Sequence, residues 1–155
     1  NKMYEMFYSL VQPPVMDFSY YNTQIHGITA TDVKNMPTFP SIWAELKGYL
    51  NNNIVLAHNA SFDMSVLKSI LNTYNLEKPN FKYYCTVSLA KKVWPELENH
   101  KLNTLASYFN INFKHHNALH DSKVCAMVAV LATRKLNSKN FAQLITKLNL
   151  KDNKF

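Results

Sequence analysis

The stretch "NIVLAHNASFDMSVL", residues 53–67, decides how this chain folds. Ile54 to Ala57 is a short unbroken apolar run, the pattern of a strand covered on both faces. Apolar positions then return at helical spacing, with Phe62, Val66, Leu67, Ile70, Leu71 and Tyr74 on one side. His58 therefore sits at the carboxyl end of a strand, Asn59 or Ser61 caps the following helix, and Asp63 falls in its first turn. A strand feeding directly into a helix is the unit of an α/β fold.

The flanking sequence repeats that alternation. "KMYEMFYSLVQPP" (2–14) is rich in Tyr, Phe and Met and is closed by two prolines, which predicts a strand over 3–11 followed by a polar loop. In "HGITATDVKNMP" (26–37) Thr31 is the expected N-cap of a short helical turn that stops before Pro37. "TFPSIWAELKGYLNN" (38–52) places Ile42, Trp43, Leu46, Tyr49 and Leu50 at helical spacing, with Pro40 suited to a first turn. "FKYYCTV" (81–87) reads as a strand, "SLAKKVW" (88–94) as a helix halted by Pro95, and "LNTLASYF" (102–109) as another short helix. The longest helical run is "ALHDSKVCAMVAVLATRKL" (118–136), and "NFAQLITKL" (140–148) is the last. Strands alternating with helices predict an α/β layered fold, with residues 1–155 as a single domain and no linker or repeat array.

Composition sets outer limits. With 47% hydrophobic residues and only two glycines, the 155-residue chain can bury a core and belongs with folded rather than disordered sequences. Seventeen Lys and Arg against ten Asp and Glu give a net charge of +7, which favours a polyanionic partner. Two cysteines, Cys85 and Cys125, make no disulfide framework and read as reduced thiols. No apolar run approaches the ~20 residues that cross a bilayer, and "NKMYEMFYSL" is not a secretion signal. The expectation is a cytoplasmic protein with no membrane partner.

A second hexapeptide echoes the first: "HNASFD" at 58–63 and "HNALHD" at 116–121. Both place an Asp near a helix start, where a carboxylate complements the macrodipole whatever its function. In the second copy Asn117 is a good N-cap and Asp121 falls about one turn in. Residues five apart on a helix are rotated by about 140° from one another, so His116 and Asp121 cooperate only if His116 lies in the loop before the helix. The rival is a zinc site from His116, His120 and Cys125, which needs His116 to be helical already. His58 is expected to pack or hydrogen-bond at the strand end. Lys91, Lys92 and Lys101 are candidates for attracting phosphates, although a charge run is more often a solvated face.

The motifs "IHGITATDV", "PTF", "VLAHNASFDMSVL", "KLNTLASYFNI" and "HNALHDSKV" together resemble, in order and over nearly the whole chain, the DnaQ-like 3′→5′ exonucleases of the DEDDh type. That family includes the proofreading subunit of bacterial DNA polymerase III and ribonuclease T. The resemblance implies a ribonuclease H-like mixed sheet flanked by helices, with two divalent cations, Mg²⁺ or Mn²⁺, at the carboxyl end of the central strands. By the same resemblance Asp63 and Asp121 are metal carboxylates and His116 is the general base that takes a proton from the attacking water. Asn59 and Phe62 look like substrate contacts, and His26, in the segment resembling the one over the terminal nucleotide, is a third. The implied substrates are single-stranded or frayed 3′ ends of DNA or RNA, and a DNA polymerase is an implied partner.

One family element is missing. The Asp-x-Glu of the first motif occurs nowhere in the chain, and Asp17, in a loop-like stretch after the prolines, is a poor substitute. The chain opens inside what would be the second strand, so the first central strand is expected to be absent and the domain truncated at its amino end. Two readings follow: an active exonuclease of which this is a fragment, or a catalytically inactive module with an exonuclease fold that binds nucleic acid or a polymerase. A homodimer in which a second copy donates a strand would repair the sheet but not the missing carboxylates.

Overall fold

The computed structural model describes residues 6–112 and 116–155. Its centre is the unit expected from residues 53–67: strand β1 (Ile54–Ala57) runs into helix α4 (Ala60–Thr73) through His58 and Asn59. The reversal is tight because Asn59 takes the left-handed conformation, φ 67°, which Asn tolerates better than most residues. Strand β2 (Lys82–Cys85) lies parallel to β1, with Ile54 opposite Lys82 and Ala57 opposite Cys85. Strand β3 (Asn153–Lys154) pairs with β2 antiparallel, giving a mixed sheet in the order β1-β2-β3.

Helices α5 (Thr86–Val93), α6 (Leu102–Tyr108), α7 (Ala118–Lys135) and α8 (Phe141–Leu148) follow the expected segments, except that α5 starts two residues early, directly from β2. The α7 start agrees with its sequence signal: the Asn117 side chain accepts a hydrogen bond from His120 N at 3.1 Å. Asn140 does the same for Gln143 N at α8. α7 packs against α5, α6, α8 and β1. Its buried residues Val124, Cys125, Val128, Ala129 and Ala132 fall at helical spacing on one face. Leu89, Trp94, Leu105 and Leu144 close the main core around Val128, Ala129 and Ala132, and Val124 packs with Leu102 and Ala106 in a smaller cluster. Among the described residues no helix is long and apolar enough to cross a membrane.

Several sequence expectations need correction. Residues 6–11 form no strand, and residues 3–5 lie outside the described residues. The segment instead makes one parallel bridge, Gln12 with Thr38, in which Gln12 N donates to Pro37 O at 3.0 Å. Its aromatic content serves side-chain packing, with the Phe7 ring 6.0 Å from that of Tyr49. The segment taken for a polar loop contains α1 (Tyr20–His26), closed by Gly27 at φ 72°. No residue of α1 is buried, so it has no apolar stripe to betray it. Helix α2 (Ala30–Val33) is capped by Thr29 rather than Thr31; Thr29 N and Oγ1 both donate to the Asp32 carboxylate, at 2.7 and 2.6 Å, and these bonds hold the Asp32 pKa below its ordinary value. Helix α3 (Phe39–Leu50) has Pro40 in its first turn as expected, with the Phe39 and Trp43 rings stacked at 5.5 Å.

Two corrections bear on the site. Strand β1 is not covered on both faces: Ile54 is 47% exposed, the other three residues are half-buried, and among the described residues β1 ladders only with β2. In α4 the buried residues are Ala60, Met64 and Leu71, whereas Phe62 and Val66 are 65% and 50% exposed. The buried face of α4 is thus rotated from the apolar stripe that the sequence suggests, and the first member of that stripe faces solvent.

Candidate active site

The two hexapeptides meet. A cleft of about 1130 Å³ is lined by His58, Asn59, Phe62 and Asp63 from the first copy and by His116, Ala118 and Asp121 from the second. Leu56, Ala57, Val87 and Cys125 supply apolar surface beneath them. The geometry comes from one chain reversal and one packing contact. β1 ends beside the start of α4, and α7 packs against the same strand, so the first turns of both helices border one space.

His116 lies outside the helix, as cooperation with Asp121 requires. It takes φ 63°, directly before the Asn117 cap, and α7 starts only at Ala118. A left-handed non-glycine residue costs about 1–2 kcal/mol and is uncommon away from turns and functional sites. This placement also removes the zinc reading, because His116 and His120 do not share a helical face. Asp121 is half-buried in the first turn, its backbone N bonded to Asn117 O at 2.8 Å. Asp63 is in the first turn of α4, and desolvation at the cleft raises its carboxyl above the ordinary 3.8 against the opposing effect of its own backbone N–H.

The base of the cleft is tied by one hydroxyl. Thr86, fully buried at the start of α5, brings Oγ1 within 2.9 Å of His58 Nδ1 and 3.5 Å of Cys125 Sγ, and donates to Ala57 O at 3.4 Å. His58 thus bonds at the strand end, as expected, while also lining the cleft. The two thiols differ sharply. Burial pushes Cys125 up to about 11, with a smaller upward push from the charges of Asp63 and Cys85. Desolvation also raises Cys85, but the amide N–H groups of Ser88, Ala60, Val87 and Asn59 together outweigh it and leave that thiol below its ordinary value.

The remaining candidates separate. Asn59 and Phe62 line the cleft, and the exposed Phe62 ring is not core packing. His26 does not line it; the ring ends α1 and its Nδ1 accepts from Ile28 N at 3.0 Å. Lys91 and Lys101 are lining residues, whereas Lys92 donates to Leu148 O at 2.7 Å and Asn149 O at 3.3 Å near the end of α8. Asn99, His100 and Asn103 also line the cleft, although nothing in the sequence singles them out as strongly as the hexapeptides. The polar cluster "ENHK" before an apolar run was the available signal.

The donor set falls short of the pair of divalent cations that the resemblance implies. Each such ion takes six or more ligands, mostly oxygens, and among the described residues the carboxylates that line the cleft are Asp63, Asp121 and Glu98, too few for two ions. Among the described residues no group of three or more His, Cys, Asp or Glu is arranged to hold a metal ion. The described residues do not fit a two-cation centre by themselves.

Comparison with known proteins agrees with the motifs. The RNase T family profile, described as Exonuclease, matches residues 2–129. The DNA polymerase III PolC-type protein of Listeria welshimeri is 36% identical over 104 residues, covering 66% of this chain and 7% of that protein. The DNA polymerase III subunit epsilon of Buchnera aphidicola is 32% identical over 134 residues, 82% of this chain and 54% of that protein. The chain therefore spans about a tenth or less of the PolC-type relatives' length. Among solved structures, exonuclease X in complex with 5′ overhanging duplex DNA superposes with a TM-score of 0.68 at 24% identity, over 90% of this chain and 78% of that one. The fold is thus ribonuclease H-like, and with five-sixths of its length inside the family profile the chain belongs to the DnaQ-like exonuclease family.

Proposed function

We propose that the protein carrying this chain is a 3′→5′ exonuclease that releases nucleoside monophosphates from single-stranded or frayed 3′ ends. The observation that carries the reading is the convergence of Asp63, His116 and Asp121 on one cleft, from two helix starts far apart in sequence. His116 serves as the general base: imidazole is the side chain suited to take up a proton near neutral pH, and its position in the loop leaves it exposed to the cleft. The Phe62 ring offers a face for the terminal base and Asn59 a hydrogen bond beside it. Family membership supports a cation requirement in which Asp63 and Asp121 supply two carboxylates, and the rest of a complete centre has to come from outside the described residues. The named relatives extend the proposal to a DNA polymerase as partner or as parent polypeptide.

The test is the full-length protein with 5′-labelled single-stranded DNA or RNA and Mg²⁺ or Mn²⁺. Progressive shortening from the 3′ end with mononucleotide products is expected, and His116→Ala should lower turnover about 10²–10⁴-fold at unchanged melting temperature. Turnover that survives His116→Ala rejects the base. A second reading, a binding module without chemistry, is favoured by the shortage of carboxylates in the cleft. Binding of the strand with no monophosphate released would select it.

A further inference from the structure

The cleft is lined in part by groups that the proposed chemistry does not use. Besides the carboxylates and His116, a second set of lining residues comes from the last turn of α5 and from residues 98–103: Lys91, Asn99, His100, Lys101 and Asn103, with Glu98 as the carboxylate of that set. Several other lysines are engaged elsewhere. Lys82 pairs with Asp152, Lys135 with Glu96 and Lys47 with Glu77, while Lys92 and Lys147 donate to backbone carbonyls. Among the described residues, Lys91 and Lys101 have no carboxylate or carbonyl partner for their ammonium groups, and both are exposed to the cleft.

The segment that carries Lys101 is fixed before any ligand arrives. Asn99 Oδ1 accepts from Lys101 N at 3.1 Å and from Thr104 Oγ1 at 2.7 Å. His100 Nε2 lies 2.9 Å from Trp94 O, and Trp94 is buried in the main core. These bonds hold the backbone that carries Lys101, so ordering of this segment adds little to the entropy lost when a ligand binds. A polyanion entering a cleft that also contains Asp63 and Asp121 needs positive charge near its path.

We propose that Lys91 and Lys101 form a backbone-binding rail that holds two successive phosphates of a single strand, upstream of the nucleotide that meets Phe62. The proposal rests on the nuclease reading of the cleft for the direction of the strand. It does not require cleavage. These two lysines are positioning residues: they fix where the strand runs and do not touch the reacting atoms.

The experiment measures affinity of the full-length protein for a single-stranded oligonucleotide in EDTA, across a series of salt concentrations, alongside steady-state cleavage with Mg²⁺ or Mn²⁺. For Lys91→Gln with Lys101→Gln, the slope of log affinity against log salt should become shallower by about 1.4, since each single-strand phosphate left without its ammonium partner removes about 0.7 from the slope. KM should rise with little change in kcat, and the two Lys→Arg replacements should restore the slope. Lys34→Gln with Lys78→Gln, two lysines outside the cleft, should leave it nearer the parent value. A slope unchanged in the Lys91 and Lys101 double variant overturns the rail, as does a parent protein that fails to bind the strand. A shallower slope in a protein that releases no monophosphate upholds the rail and rejects the nuclease reading, so the two failures are distinguishable.

Discussion

At the scale of single residues, Asp63 carries a small stability cost: the residue is exposed overall, so solvent screens much of the desolvation it meets at the cleft. Desolvation raises its carboxyl, so the folded state holds that proton more tightly than the unfolded chain does. The sign follows: stability falls as pH rises from the ordinary value of 3.8 through the raised one, and the penalty is fully present at neutral pH. Asp63→Asn should therefore raise the melting temperature at pH 7 while abolishing turnover, and the gain should fade as the buffer is taken below the ordinary carboxylate range. A lower melting temperature at pH 7 would show that the carboxylate is stabilised by a partner or by the helix start, and an unchanged one that solvent screens the desolvation fully. Both hexapeptide aspartates were legible in the sequence, because a helix start after a strand or a capping Asn determines where a first-turn carboxylate goes. The left-handed turns at Asn59 and His116 were not. Asn and His are ordinary loop residues, and only coordinates distinguish one at φ 67° or 63° from one in extended backbone.

At the scale of elements, Thr86 joins the end of β1, the start of α5 and the flank of α7 through one buried hydroxyl. Thr86→Val keeps the shape and removes the bonds, so His58 Nδ1 and Ala57 O each lose a neighbour in a partly dry site. A loss of about 1–3 kcal/mol in urea unfolding is expected, together with slower turnover if His58 shifts. A neutral result would mean that water replaces the hydroxyl. This junction leaves no mark in the chain, since a threonine that opens a helix looks the same whether its hydroxyl faces solvent or a histidine 28 residues earlier. Helices with a clear apolar period, α3 and α8, were readable to within a residue or two. By contrast, α1 buries nothing and β3 is two residues long, so neither has a period to read. The face of α4 was misjudged for a related reason: Phe62 and Val66 are apolar but exposed, and hydrophobicity alone does not distinguish an aromatic ring that lines a cleft from one in a core.

At the scale of the whole molecule, the main core lies between α5, α7 and α8, and Leu144 plugs it from α8 with no exposed surface. Leu144→Ala should lower unfolding free energy by about 2–5 kcal/mol. Amide exchange should then rise first in α8 and at Leu150, while the first turns of α4 and α7 stay protected. Simultaneous loosening of those turns would tie the cleft to the core more closely than the packing suggests. The α/β class was readable because alternating strand and helix patterns determine it at low resolution. Which elements surround the cleft was not, since the 98–103 segment reaches it by way of a histidine that bonds to Trp94 O and leaves no periodic trace in the chain.

The pairing of β3 with β2 sets an order of events during synthesis. Lys82 and Asp152, joined by a 2.5 Å bond, are separated by 70 residues. At ~5–20 residues per second, a ribosome emits β2 about 4–14 s before the strand that will cover that edge. Throughout that interval Lys82 and Tyr83 would stand on a nascent sheet with that flank open, the kind of edge on which stray chains can pair. Chaperones that shield emerging polypeptide would find their use there, and a slowly translated message would prolong the exposure.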